Sequence, residues 1–335
     1  MPVKLSIIIV TFNGENHIQN CIRSIYQYLP KEYFELILSD NLSTDNTVKI
    51  VKENFPDVKI IIGENKGYGS GMNKGMKLAQ GDYFLILNDD TYFIDDSLIK
   101  MVEFIESKPK AGLVGPLLLN TDRSLQPSIT NYPRILKDML QILFPYMMQT
   151  DNLIFKTILR GMRNYLPLGR YDFHDSIKKV ESIKGACILI RKDVFQQTGG
   201  FDENIFLDTE ESTLSKRAEL LGWETCFFPE AKLVHIGGVT IGDINLFKFS
   251  PRVLQKYKSN IYYFKVYKSN LSHMFYIILM IISISIRLFN ISIISLMNSR
   301  INYKKERNIL IALVKMFASK RIRELNMLTD NFTRI

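Results

Sequence analysis

The sequence predicts an α/β protein: a mostly parallel, doubly wound sheet followed by a helical tail that associates with membranes. Three observations carry this. Four short runs of branched aliphatics alternate with helical patterns over the first 120 residues, each run ends in a polar cluster, and the chain turns from mildly acidic to basic near residue 250. Apolar runs continuous enough to be covered on both faces, separated by helices, imply βαβ units and parallel pairing.

The elements follow in order. LSIIIV (5–10) is the first strand, and Glu15–Tyr28 after it has helical periodicity. FELILSD (34–40) is the second, followed by a helix over Thr44–Asn54 with Ser43 or Thr44 as its cap. VKIII (58–62) is the third, with a helix over Gly71–Ala79, and YFLILN (83–88) is the fourth. In such sheets ligands bind beyond the carboxyl ends of the strands. There stand TFNGEN, DNLSTD, GENKGYGSG and NDD, four polar clusters that one edge of a sheet brings to one crevice. Asp40 can accept from a pyrimidine N–H or ribose hydroxyls, and Gly67, Gly69 and Gly71 let backbone approach a ligand. Their spacing is wrong for a dinucleotide fingerprint and they do not follow the first strand, which argues against an NAD enzyme.

Composition narrows the class. With 335 residues and 46% hydrophobic content the chain buries a large core and is neither disordered nor fibrous. Cys21, Cys187 and Cys226 are far apart and fit neither a disulfide framework nor a zinc site, so a reducing compartment is expected. The N-terminal apolar run is too short for a signal segment, which places the main domain in the cytoplasm. Of the net charge of +9, residues 251–335 hold fifteen Lys and Arg against three Asp and Glu.

Two acidic pairs carry the candidate chemistry. Asn88, Asp89 and Asp90 stand side by side at the end of a buried strand. Adjacent carboxylates repel, and a hard divalent cation relieves the crowding; the plainer alternative is a solvated turn. Glu210-Glu211 opens a helical pattern, where an acid either complements the helix dipole or serves as a general base.

The motifs SIIIVTFNGENHIQNCIRSI, LSDNLSTDNTV, ENKGYGSGMNKGM, GDYFLILNDDT, IKGACILIRKDVFQQTGGFDENIFLDTEE and GWETCFFPEAKLVHIGG together resemble inverting glycosyltransferases of family two. The subgroup is that of bacterial rhamnosyltransferases of surface polysaccharides, and the likeness runs from about residue 4 to about residue 245. The resemblance implies a GT-A nucleotide-diphospho-sugar fold with Mg²⁺ or Mn²⁺. It places Thr11, Asn13 and Asp40 around the base and ribose and Asn65, Gly67 and Asn73 along the donor pocket. Asp89 and Asp90 match the middle and last acids of the metal motif, with Asp90 the ligand, while Asn88 stands where many relatives have an acid. His235 matches a histidine that binds metal or diphosphate in some members; a satisfied strand-end histidine is an equal alternative. Glu211 takes the position of the general base and Glu210 that of its orienting partner. Glu replaces the commoner Asp there, and STL follows where another acid is frequent.

Near these, the small residues Gly185-Ala186-Cys187 either let an acceptor lie close or simply pack tightly, Cys187 and Trp223 read as packing residues, and Arg217 as an anchor for its helix or for a phosphate. Residues 121–180 read as apolar, basic and helical without visible chemistry.

The tail contains Met274–Asn298, apolar and long enough to span a bilayer, with Tyr276, Ser283, Arg287, Asn290 and Asn298 on one stripe. Lying in the interface would let Arg287 reach lipid phosphates; a spanning helix and a core or homodimer helix are the other two readings. Its aliphatic surface argues for an anionic membrane rather than nucleic acid. The expected function is metal-dependent inverting transfer of a sugar, first choice rhamnose from dTDP-rhamnose, to a lipid-linked or oligosaccharide acceptor at the inner face of the cytoplasmic membrane. The competing classes are a nucleotidyltransferase, which gives Glu210-Glu211 no role, and a non-catalytic nucleotide-sugar-binding protein.

Overall fold

The computed structural model describes residues 4–144, 176–237, 251–297 and 303–319. Two compact units divide the chain: Met1–Tyr132 with Gly169–Asp243, and Pro133–Leu168 with Ile244–Ile335.

The first unit is built on one ten-stranded sheet. Its elements are β1 (Leu5–Thr11), α1 (Ile18–Tyr28), β2 (Phe34–Asp40), α2 (Thr47–Asn54), β3 (Lys59–Ile62), α3 (Tyr68–Leu78), β4 (Tyr83–Asn88), β5 (Thr91–Phe93), α4 (Ser97–Ser107), β6 (Ala111–Leu119) and β7 (Leu125–Gln126). β8 (Ile129–Thr130) pairs separately with β10 (Ser182–Ile183), while β9 (Lys178–Val180), β11 (Cys187–Arg191) and β12 (Glu224–His235) join the main sheet. The helices α6 (Lys192–Thr198) and α7 (Glu210–Leu220) complete the unit.

The strand order is β3-β2-β1-β4-β11-β6-β12-β5. The four strands read from the sequence pair in parallel, β1 between β2 and β4. Beyond them the sheet is mixed: β11 runs antiparallel to both β4 and β6, and β5 antiparallel to β12. All seven residues of β1 are buried, because helices cover both faces. The helix expected from Thr44 starts at Thr47, since Asp45 Oδ1 accepts from the Thr47 N–H at 3.0 Å and turns the chain first.

The second unit contains α5 (Ile135–Leu143), α8 (Pro251–Tyr267), α9 (Asn270–Met297) and α10 (Lys304–Ala318). Its polarity is inverted. Tyr276, Ser283 and Arg287 lie on the buried side of α9. The Tyr276 hydroxyl and Asn260 Nδ2 each donate to Asp138 Oδ2 at 2.8 Å, and Arg287 Nε donates to Glu306 Oε1 at 2.9 Å. Leu271, Phe275, Ile278, Ile282, Ile286 and Phe289 point outward. The expectation that Arg287 reaches lipid phosphates is thus overturned: a buried acid on α10 neutralises it. Asn290 is exposed, and Asn298 falls outside the described residues, as does 145–175 of the segment read as helical.

Candidate active site

The carboxyl ends of β1, β2 and β4 meet, and their loops are stitched together by side chains. Thr11, the last residue of β1, donates through Oγ1 to Asp89 Oδ2 at 2.5 Å. Gly14 permits this approach, for a Cβ there would stand 2.2 Å from the same oxygen. Asn13 sits in the left-handed region (φ 56°), its Oδ1 accepting from the Thr44 N–H at 2.8 Å and its own N–H donating to Ser43 Oγ at 2.8 Å. Asn13 therefore ties the β1 loop to the β2 loop.

Asp40 ends β2 and is 1% exposed. Its Oδ2 accepts from the Ser43 N–H at 3.0 Å, while Oδ1 is buried with no hydrogen-bond partner. Next to it Asn41, not singled out from the sequence, also leaves a buried Oδ1 unmatched. Asn65 Oδ1 accepts from the Gly67 N–H at 3.2 Å and shapes the turn into α3. Gly67 adopts φ 103°, with the Phe206 carbonyl oxygen 2.3 Å from where a Cβ would be, so only glycine fits. Asn73 is committed elsewhere: Nδ2 donates to Phe201 O and Glu203 Oε1, both at 2.9 Å, and Oδ1 accepts from the Phe201 N–H at 2.8 Å. It fastens the Phe201 loop to α3.

At the end of β4 the crowding resolves unequally. Burial pushes Asp89 up to about 7; the Thr11 hydroxyl opposes this and the charge of Asp90 adds to it. Burial also acts to raise Asp90, but the neighbouring His235 ring and the Gly237 N–H outweigh it and hold Asp90 below its ordinary value. β12 pairs His235 with Thr91, the residue after Asp90, which brings His235 Nε2 to 3.4 Å from Asp90 Oδ1. The Gly237 N–H donates to Asp90 Oδ2 at 3.2 Å, leaving Oδ1, like Asn88 Oδ1, buried without a hydrogen-bond partner. Among the described residues no three His, Cys, Asp or Glu side chains form a complete metal cluster. Asp90 and His235 form a buried pair, an oxygen and a nitrogen donor 3.4 Å apart.

The second acidic pair begins α7. Asp208 (φ 64°) and Thr209 (φ 79°) precede it in the left-handed region, strained for a β-branched residue. Glu210 is buried and Glu211 half-buried. Tyr68 connects the two acidic pairs. Its hydroxyl donates to Gly185 O at 2.7 Å, and burial first, then the charges of Glu210, Glu211, Cys187 and Asp90, push the phenol well above its ordinary value. Arg217 is an anchor, donating to Thr198 O at 2.7 Å and to Gly200 O. Burial raises the Cys187 thiol far above its ordinary value, so it packs rather than reacts. Trp223 is half-buried against Gly112.

Residues 6–163 match the model for Glycosyl transferase family 2. The chain carries a family 2 glycosyltransferase domain. This glycosyltransferase is 26% identical over 244 residues to an N-acetylglucosaminyl-diphospho-decaprenol L-rhamnosyltransferase of Mycobacterium tuberculosis, an alignment covering 69% of the chain and 75% of that relative. It is 33% identical over 135 residues to a dolichyl N-acetyl-alpha-D-glucosaminyl phosphate 3-beta-D-2,3-diacetamido-2,3-dideoxy-beta-D-glucuronosyltransferase of Methanococcus voltae, covering 37% of the chain and 42% of that protein. A mannosyltransferase from Pyrobaculum calidifontis, solved with GDP-Man and Mn²⁺, superposes with a TM-score of 0.54 at 14% identity, covering 97% of the chain and 84% of the other. The fold is that of the GT-A glycosyltransferases.

Proposed function

We propose that this glycosyltransferase moves a sugar, first choice L-rhamnose from dTDP-rhamnose, with inversion onto a lipid-linked acceptor, using a divalent ion held by Asp90 and His235. The observation that carries the proposal is the set of buried oxygens, Asp40 Oδ1, Asn88 Oδ1 and Asp90 Oδ1, left without a hydrogen-bond partner along one edge of the sheet. Buried polar atoms are almost always matched within a fold, so a row of unmatched acceptors is a site built for a ligand. The mycobacterial relative supports rhamnose and a lipid diphosphate acceptor, and the Pyrobaculum calidifontis mannosyltransferase supports Mn²⁺.

Asp40 accepts from the base or ribose. Thr11 holds the Asp89 side chain in place, and Asp89 stays behind Asp90 rather than sharing its ligand. The ion, when bound, neutralises charge on the leaving diphosphate. Glu211 accepts the proton of the acceptor hydroxyl as its oxygen bonds to the anomeric carbon; the bond from that carbon to the diphosphate breaks, and the nucleoside diphosphate leaves without a protonic acid. Glu210, buried beneath, fixes the start of α7.

The second unit supports a location at the membrane. Asn270–Leu296 is long and apolar enough to cross a membrane, and a third of its most apolar stretch is buried inside the protein. Its outward apolar face and the basic tail suit the hydrocarbon edge and anionic headgroups of the inner leaflet. Screening nucleotide sugars for thermal stabilisation with and without Mn²⁺ tests the donor: a bound donor at a hundred times its Kd adds about 2.7 kcal/mol. Stabilisation by dTDP-rhamnose only with Mn²⁺ is the expected result, and equal stabilisation with and without metal would refute the proposed ion.

A further inference from the structure

We propose that Gln126 is a positioning residue for the ion site: its amide oxygen keeps the His235 proton on Nδ1 and leaves the Nε2 lone pair facing Asp90. Gln126 lies on β7, paired with Leu118 of β6, and is 8% exposed. Its amide makes four contacts. Nε2 donates to Asn120 Oδ1 at 3.0 Å and to His235 O at 3.1 Å, while Oε1 accepts from Lys184 Nζ at 3.1 Å and lies 2.6 Å from His235 Nδ1.

These contacts allow one orientation. Reversing the amide would set its NH₂ group against an ammonium and its carbonyl against two oxygens. Asn120 is itself fixed, since its Nδ2 donates to Ser124 Oγ at 2.8 Å and its Oδ1 is left to accept from Gln126. With an acceptor at 2.6 Å, Nδ1 must carry the hydrogen. In the neutral ring Nε2 then meets Asp90 Oδ1 across 3.4 Å, between two buried side chains and with a lone pair on each atom. Two such atoms repel unless a proton or a cation lies between them. Metal-bound histidines commonly have their other nitrogen donating to an oxygen in this way, which orients the ring and raises its basicity. Gln126 thus ties three stretches distant in sequence, around residues 120, 184 and 235, to one ring nitrogen. Because imidazole suits manganese better than magnesium, the arrangement also favours Mn²⁺ over Mg²⁺.

The inference rests on Asp90 and His235 being ion ligands, and the test separates the two claims. Nitrogen-15 NMR of the metal-free full-length protein at pH 8.5 reads the His235 tautomer, and electron paramagnetic resonance titration with Mn²⁺, alone and with dTDP, reads ion affinity. The wild type should show the Nδ1–H tautomer. Gln126→Leu should lose that preference and bind Mn²⁺ roughly 10- to 100-fold more weakly. Gln126→Glu keeps the acceptor for Nδ1 but loses the donor to His235 O and Asn120, so it should retain the tautomer and Mn²⁺ binding much nearer wild type. If Gln126 only stitches β7 to β12, Glu will fail as Leu does, and the inference falls. A wild-type ring protonated at Nε2 also overturns it while leaving the ion ligands standing. Wild type that binds no Mn²⁺ overturns the ion assignment and the inference with it.

Discussion

The two ends of the parallel strands are built by opposite rules. At the amino ends the buried carboxylate is fully matched: Glu35 Oε1 accepts from Ser6 Oγ and the Gln80 N–H, both at 2.6 Å, and its Oε2 accepts from Lys59 Nζ at 2.7 Å. Ser6 Oγ in turn accepts from the Gly81 N–H at 2.9 Å. At the carboxyl ends of the same strands, acceptors on Asp40, Asn88 and Asp90 are buried and unmatched, and Asn13 and Leu42 hold left-handed backbone. One end is finished within the chain, and the other needs a ligand to finish it. Stability is concentrated at the first and function at the second.

Substitutions at the two ends should therefore separate stability from activity. The largest effect is expected at the base: Glu211→Gln should lower transfer by roughly 10² to 10⁴ while donor binding and melting temperature hold. Steady-state transfer combined with calorimetric donor binding checks this, and wild-type turnover would return Glu211 to a helix-capping role. Glu211→Asp restores the commoner family residue on a shorter arm and shows whether this site has adapted to glutamate.

Next in size is the opposite end. Glu35→Ala should cost roughly 1–3 kcal/mol of stability without changing turnover at a permissive temperature. Its pH dependence has a definite sign. Burial raises the Glu35 carboxyl, but Lys59, Ser6 and the Gln80 N–H outweigh it and hold it below its ordinary 4.5. Its contribution is thus complete above pH 4.5 and is lost as pH falls through the lower folded value, so Glu35→Ala should flatten that part of the acid limb in urea titrations.

A smaller effect is expected at Asp40. Asp40→Asn should weaken donor binding by roughly tenfold, since a neutral acceptor replaces a charged one, and should leave stability nearly unchanged. Calorimetry with dTDP measures it. Smallest for the chemistry, and confined to the second unit, are Ile282→Lys and Phe289→Lys. They should reduce flotation with anionic liposomes while transfer to a soluble acceptor is kept, and unchanged flotation would mean that this face does not touch lipid.

The contrast between the two ends also marks what the sequence disclosed. The four parallel strands were legible because each is a continuous aliphatic run, and the polar clusters that follow them lie on one edge as expected. The direction of β11 was not legible, since Cys187–Arg191 is as apolar as a parallel strand and its pairing with β4 and β6 is decided by tertiary packing. On α9 the polar stripe was visible but its direction was misjudged. Its partners Asp138 and Glu306 sit on other helices, and nothing local in Arg287 says whether it turns to lipid or to a buried acid. Gln126 carried no signal, because its partner His235 is 109 positions away and an LQPSI segment has no chemistry of its own.

The central claim is that the unmatched oxygens at the carboxyl ends receive a donor and its ion. Isothermal calorimetry of dTDP binding to wild type and Asp90→Asn, each with and without Mn²⁺, tests it most directly. Binding to the wild type should strengthen with Mn²⁺, and in Asp90→Asn that gain should vanish while the metal-independent part remains and the melting temperature does not fall. Undiminished Mn²⁺-dependent binding in Asp90→Asn would contradict it.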